Sequence, residues 1–487
     1  VKKLLTLLMA LTLILSGVSF ASADDVETVK VAYMLTMNPA EQRQMVQDAV
    51  NDLLAKKNLG IKVEFVCIDF ASWSTQMNLM LTDGSIDLFN ACFMSSLSVL
   101  ADNGSIAPMD ELYQKYGQGI LSTLGDYINC AKVDGVLYGA PKANAFSSAM
   151  MFVMDKKIAD AAGIDPESIK DFDTLTEALK VVKAANPDLT MIANGKNGEY
   201  ANFYDTDFLG TEDPLGCLLL KEGSDDKTVV NYYTSENFKN MLKYSKQWSE
   251  LGFFMKDPLN AQDGSMAYLS NGQAFGSFVS YSDEETAVNV QQNGLGKEIY
   301  ACQITTSPWA TTNNVAGMTW CVPALSQHKE AAVKLLNELF TDAELSNLVC
   351  NGIKDVHYVV TDEGNITFAE GLDAVKTGWP SGMGTFWPNI LITYPWKPSP
   401  ANVYEAWQKS NETCSKSPAL GFTFNAANVS DEVSACATVV DKYVPALLLN
   451  IGDTDELYKS FLAELEEAGI NNIISEKQAQ LDAWTAK

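Results

Sequence analysis

The sequence predicts an α/β protein built as two lobes and followed by a helical C-terminal extension. Three observations carry this. The chain has 487 residues, more than one hydrophobic core usually serves. Its first hundred residues alternate short apolar strands with amphipathic helices. From Asp431 to Ala486 the pattern turns almost wholly helical, with Leu457, Phe461, Leu465, Leu481 and Trp484 at helix-compatible spacing. Apolar content of 47% and charged content of 20% are globular values, so no long disordered stretch is expected. No repeat, low-complexity tract or Pro/Ser-rich linker separates the halves, as expected of a chain that crosses directly between lobes.

Residues 1–23 read as an export signal. Lys2-Lys3 is basic, Leu4 to Leu15 is apolar, and small residues Ala21-Ser22-Ala23 precede Asp24-Asp25. Leu15-Ser16-Gly17-Val18 has the shape of a lipidation motif, but Val18 stands where the acylated cysteine belongs, which makes a lipid anchor doubtful. Val29–Leu35 is then a strand. Pro39–Lys57 is a helix with Met45, Ala49, Leu53 and Leu54 facing inward. Strand Ile61–Ile68, helix Ser74–Leu81 ended by Asp83-Gly84, and strand Ile86–Asn90 follow. Strands separated by helices of this length imply parallel pairing. Helices are expected at 168–185, 236–251 and 327–340, and strands at 274–279, 299–304 and 317–323.

The stretch "KVDGVLYGAPKANAFSS", residues 132–148, ends a short apolar strand at Gly139-Ala140-Pro141. Glycine permits unusual dihedrals, the residue before a proline is driven extended, and proline fixes φ. A hinge crossover between lobes suits these residues, and so does an ordinary surface turn. The domain boundaries read as 24–139 plus 300–345 for the first lobe. The second takes 140–299 plus 346–487, its helical region starting near 418.

A net charge of −27 repels nucleic acid and anionic lipid. The nine cysteines are scattered, form no CxxC and sit mostly in apolar segments, which reads as buried free thiols. Only His328 and His357 exist, neither in an HExxH or GxSxG setting, and no phosphate loop occurs. Gly294-Leu295-Gly296 lacks the third glycine of a dinucleotide loop. Asp205-x-Asp207-x-x-Gly210 opens like a calcium loop, but position twelve is Gly216 where a glutamate belongs, so a solvated acidic loop is expected. Asp283-Glu284-Glu285 could mimic a glycosidase acid/base pair, or be a charged turn. No catalytic residue, metal site or cofactor is expected.

Aromatic residues inside loops are the positive signal: Trp73, Phe93, Tyr281, Trp309, Trp379, Trp387 and Trp396, in contexts such as "FASWST", "SPWATTNN" and "TGWPSGMGTFWPN". A ring offers a flat apolar face to the C–H side of a pyranose, while nearby amides and carboxylates bind its hydroxyls.

Four stretches then add up to a family likeness: "FASWSTQMNLMLTDGSIDL", "VDGVLYGAPKANAF", the long run from "GMTWCVPALSQHKEAAVKLL" to "VHYVV", and the tail "PALGFTFNAANVSDEV…EAGINNIISEKQAQLDAW". From about Lys30 to Trp484 the chain resembles the family 1 extracellular solute-binding proteins of ABC importers, in the lipoprotein-type branch with a helical C-terminal domain. The resemblance implies a two-lobed periplasmic-binding-protein fold (type II) whose lobes swing shut on a solute and present it to permease transmembrane subunits. A sugar or oligosaccharide is the favoured solute. It also implies export, a monomer, no nucleic-acid partner, and a hinge at Gly139, Ala140 and Pro141. By position it points to Trp73, Asn90, Phe93, Asn144, Tyr281, Trp309, Met318, Trp379 and Trp387 as ligand-binding residues. Two rivals stay open. A secreted glycoside hydrolase needs two carboxylates roughly 5–9 Å apart in one cleft. A peptide or amino-acid receptor needs backbone-matching amides and a charged anchor.

Overall fold

The computed structural model describes residues 26–35, 40–195, 205–211, 214–305, 307–379 and 386–485. The export signal read at 1–23 lies outside them. Strands β1 (Glu27–Leu35) and β2 (Ile61–Asp69) pair in parallel over nine positions, as the intervening helix required. That helix, α1 (Arg43–Lys56), buries Val46, Val50, Leu53 and Leu54, while Met45 is 48% exposed. Leu53 and Leu54 face inward as expected, while Val46 and Val50 take the places expected of Met45 and Ala49, which completes an i, i+4, i+7, i+8 set made only of Val and Leu. Helix α2 (Trp73–Asp83) stops at Gly84 with φ +68°, the left-handed cap that the Asp-Gly pair announced. Leu88 bonds to the free edge of β1 and leads into β3 (Phe89–Asn90).

The chain next reaches β4 (Gly139–Pro141), all three residues buried, which removes the surface-turn reading. Beyond it runs β5 (Ser147–Asp155), nine residues that the sequence analysis did not recognise as a strand. Its signal is the unbroken apolar run Ala149–Met154, which lacks alternation because both faces are covered. Helix α3 (Phe172–Ala185), strand β6 (Thr190–Ile192), helix α4 (Glu236–Glu250), strand β7 (Ala274–Tyr281), helix α5 (Glu284–Leu295), and strands β8 (Ile299–Gln303) and β9 (Trp309–Ala310) follow. β5 is the centre of this second sheet, antiparallel to β7 on one edge and to β8 and β9 on the other. β6 extends the sheet in parallel beyond β7, so the second sheet is mixed. The β1–β2 pair and its Leu88 bridge are all parallel, whereas the second sheet mixes both senses around antiparallel β5.

The return to the first body comes later than the boundary at 300. β8 pairs with β5 at five positions, and the crossing runs through α6 (Thr312–Ala316) to β10 (Thr319–Cys321). β10 lies between β3 and β4, antiparallel to both. Helices α7 (Lys329–Thr341) and α8 (Ala343–Asn351) cover the first core, and Val349, Cys350, Trp379 and Trp387 join it too. The expected switch to the second lobe at 346 is thus corrected as well. Helix α9 (Val403–Thr413) and strand β11 (Ser415–Lys416) lead back to the second sheet, where β11 pairs with β9. The tail forms α10 (Ser430–Leu448), α11 (Thr454–Glu467) and α12 (Ile470–Thr485). Phe461, Leu465 and Leu481 are fully buried there against Leu209, Tyr233 and Phe238.

Gly139 is required for a reason other than unusual dihedrals. It is not among the positive-φ glycines. A Cβ on it would stand 2.6 Å from both the Trp320 carbonyl oxygen and Thr319 Cγ2 across the β4–β10 pair. Gly139→Ala is expected to destabilise by about 1–3 kcal/mol through overpacking. Gly264→Ala, whose Cβ would meet nothing within 4 Å, should stay within about 0.5 kcal/mol of the parent in urea unfolding.

Candidate ligand-binding cleft

Three chain crossings converge beside the ends of β5 and β7. The Lys142 amide donates to the Met318 carbonyl (2.9 Å), the Ala143 amide to Pro388 (2.8 Å), and the Ile390 amide to Ala143 (3.2 Å). Asn411 on α9 fastens the same segment: its Oδ1 accepts from the Phe146 amide (2.8 Å) and its Nδ2 donates to the Asn144 carbonyl (2.7 Å). From α6, Asn314 Nδ2 donates to Ser148 Oγ (2.9 Å) and to the Trp309 carbonyl (3.1 Å).

Three cavities adjoin along α6. One of about 320 Å³ is lined by Phe93, Met94, Thr211, Asn313, Gly317 and Thr423. A second of about 320 Å³ has Asp205, Trp309, Ser148, Ser280, Asn313 and Asn314. The third, about 510 Å³, is lined by Lys142, Asn144, Tyr281, Trp396, Tyr404 and Trp407 among others. Asn313 belongs to the first and second, and Ser148, Ser280 and Asn314 to the second and third, so they form one groove.

Of the nine residues expected at the site, Phe93, Asn144, Tyr281 and Trp309 line this groove. Five line none of the three cavities. Trp73 is 1% exposed and donates its indole N–H to the Cys92 carbonyl (2.9 Å). Asn90, also buried, donates to the Phe386 carbonyl and accepts from the Cys92 amide. Trp379 donates to the Val349 carbonyl (2.9 Å), and Trp387 stacks on Tyr33 at 4.9 Å. Met318 packs against the first core. A tryptophan in a loop can be the anchor that holds the loop down, its N–H satisfied by a carbonyl.

Tyr404 and Trp407 are not singled out by the sequence. They stand i, i+3 on α9, a spacing that reads as a core stripe, yet both line the largest cavity. Their rings lie 5.3 Å apart, and the Trp407 indole is tied by its N–H to Thr286 Oγ1 (2.7 Å). Trp396, singled out in the sequence, lines the same cavity.

The acidic motifs resolve differently. Asp283 caps α5, accepting from the Thr286 amide (2.7 Å), and Glu284 accepts from the Gln303 amide (2.7 Å). They begin a helix, favoured by its dipole, and line none of the three cavities. The loop after Asp205 is not solvated as expected. Asp207 is fully buried, and burial pushes its carboxyl up. Lys477 of α12, 2% exposed, donates to the Phe208 carbonyl (3.2 Å), Thr211 Oγ1 (3.2 Å) and the Gly216 carbonyl (2.8 Å). A lysine ammonium thus meets oxygens of the loop that begins like a calcium site. Asp205 lines the middle cavity; burial raises its carboxyl to about 6, against a hydrogen bond with Trp309. Among the described residues, no group of three or more His, Cys, Asp or Glu could hold a metal ion, and no helix is long and apolar enough to cross a membrane. All nine cysteines are free.

A groove between two α/β bodies joined by several chain crossings is the architecture of a solute-binding protein. Residues 38–345 match the family of bacterial extracellular solute-binding proteins, to which this chain belongs, and residues 418–486 match a domain of unknown function, DUF3502. A carbohydrate ABC transporter substrate-binding protein of Streptococcus pneumoniae serotype 4 is 26% identical over 480 residues, covering 96% of this chain and 94% of that protein. Among solved structures, the N-glycan transport solute binding protein NgtS of S. pneumoniae aligns with a TM-score of 0.82 at 22% identity, over 94% of this chain and 98% of that one. Its complex with Man1GlcNAc gives 0.74 at 22% identity, over 95% and 100%. The two-lobed fold expected from the sequence is therefore shared with these proteins.

Lys477→Ala should cost about 1–3 kcal/mol in urea unfolding, since it strands buried loop oxygens that now accept from the ammonium. Asp205 predicts a pH slope. Its folded value lies above the ordinary 3.8, so the native state binds more protons across that window and stability falls as pH rises from about 4 to 6. Denaturant midpoints of Asp205→Asn should lack this component and gain on the parent as pH increases.

Proposed function

We propose that the protein is a non-catalytic, exported receptor that captures an oligosaccharide in this groove and delivers it to the permease of an ABC importer by hinge closure. The observation that carries the reading is the groove itself: three adjoining cavities, longer than one sugar ring needs, with aromatic rings among amides and hydroxyls. The carbohydrate relative and the N-glycan-binding neighbour support the same ligand class.

Within the groove, Phe93, Tyr281, Trp309 and Trp407 supply apolar plates, and Asn144, Asn313, Asn314 and Asp205 meet sugar hydroxyls. Phe93 supports this best. It is 58% exposed at φ +57°, a strained setting for a bulky residue, with its ring edge-on to exposed Phe70 at 5.3 Å. Closure turns on residues 142–146 and 311–318, with Gly139, Ala140 and Pro141 as the fixed strand end of the hinge. A ligand drives it only by contacts that improve on closing, and about 5.5 kcal/mol inverts a 1:99 equilibrium. The glycosidase alternative loses support because Asp283 and Glu284 serve helix capping and a strand amide. Asp205 is the one carboxylate among the described residues lining the groove.

A thermal-shift panel of oligosaccharides tests the reading: a ligand at 100 times its Kd stabilises by about 2.7 kcal/mol, and scattering should show compaction. Absence of any carbohydrate shift, or chromatographic release of glycan fragments, would overturn it. With the ligand found, Trp407→Ala should weaken binding tenfold or more in calorimetric titration. Trp73→Ala should instead lower stability by about 3–5 kcal/mol and leave the affinity of folded protein unchanged.

A further inference from the structure

Lys142 is 5% exposed and lines the largest cavity. Its backbone N–H is committed to the Met318 carbonyl, but its ammonium has no hydrogen bond or ion pair among the described residues. The nitrogen is not sealed off from solvent, and the residue is part of the cavity wall. None of the described residues lining that cavity is acidic; the polar ones are serines, a threonine, asparagines and tyrosines. The titratable groups nearest in influence, Cys92 and Cys350, offer no counter-charge, because burial pushes both thiols up and keeps them neutral.

A nearly buried ammonium without a counter-ion is costly, and proteins ordinarily pair it or neutralise it. Lys477 shows the ordinary solution in this same chain, with three oxygen acceptors at 2.8–3.2 Å. Burial lowers Lys142 only to about 8, so the charge persists at neutral pH. A cavity with a fixed cation, many neutral hydrogen-bonding groups and two adjacent aromatic rings is complementary to a sugar ring that carries an anion. Asp205, in the adjoining cavity, repels such a group there and so favours the acid at the Lys142 end.

Resting on the reading of the groove as an oligosaccharide site, we propose that Lys142 selects a guest with a carboxylate, an acidic sugar of the uronic or sialic type, whose charge it neutralises in the largest cavity. The plate beside it is the Tyr404–Trp407 pair, which takes the ring that bears the acid.

The probes are trigalacturonic acid and sialyllactose, each titrated calorimetrically at neutral pH beside its carboxyl methyl ester, with lactose and chitotriose as neutral sugars. A tripeptide with a free C-terminus and its amide complete the set. The parent protein should bind one acid at least tenfold tighter than its ester. Lys142→Met should erase that difference without losing thermal stability, and Lys142→Arg should retain part of it. Equal binding of acid and ester, or binding confined to neutral sugars, overturns the proposal and leaves the oligosaccharide receptor standing. Preference for the free peptide over every sugar overturns both, as does the absence of any carbohydrate binding. Should Lys142→Met fail to fold, the acid-against-ester comparison in the parent protein decides alone.

Discussion

Trp320 is the residue on which the arrangement of the cleft depends. Its backbone in β10 pairs with Asn90 on one side and Ala140 on the other. Its indole N–H and the Asn90 amide both donate to the Phe386 carbonyl, at 3.0 and 3.1 Å. Its ring stacks on Trp387 at 5.7 Å, and Trp387 stacks in turn on Tyr33 of β1. Each such pair adds about 0.5–1.5 kcal/mol beyond its buried area. All three chain crossings are therefore docked on one rigid patch of the first core. From that patch the chain leaves toward β5, returns through α6, and passes again at 386–391. The groove lies where these segments meet the ends of the second sheet.

Electrostatics separates structure from recognition in the same molecule. Lys477 and Lys142 are both almost fully buried cations on a strongly acidic chain. Lys477 is surrounded by loop oxygens and offsets Asp207, so its charge is spent on holding α12 against the 205–216 loop. Among the described residues, the cavity that Lys142 lines offers neutral groups only. The difference lies in position: one lysine sits where two elements pack, the other where chain crossings open a cavity.

Much of the architecture could be read from residue order. The strand–helix–strand unit at the start, the Asp83-Gly84 stop, the α7 helix and the helical tail all rest on local periodicity and capping, which neighbouring residues suffice to specify. β5 escaped because a strand covered on both faces has no alternation, and its register is set by β7 and β8 from more than a hundred residues away. The domain boundaries slipped for a related reason. β8 and the 346–391 segment are apolar in either lobe, and only pairing and burial decide which core receives them.

Only part of the candidate groove's lining was legible. Of the loop aromatics, Phe93, Tyr281, Trp309 and Trp396 line it, whereas Trp73, Trp379 and Trp387 lie in the first core and two further lining rings, Tyr404 and Trp407, come from a helix. The sequence by itself determined the two α/β units, the helical tail and the chemistry available to a ligand, because these depend on composition and short-range pattern, while the family came from the resemblance of four stretches to known solute-binding proteins. Only the tertiary structure decided which rings face a cavity, why Gly139 admits no side chain, and which buried lysine has no acceptor among the described residues. Those outcomes depend on distances between segments far apart in the chain, and no local pattern encodes a distance of that kind.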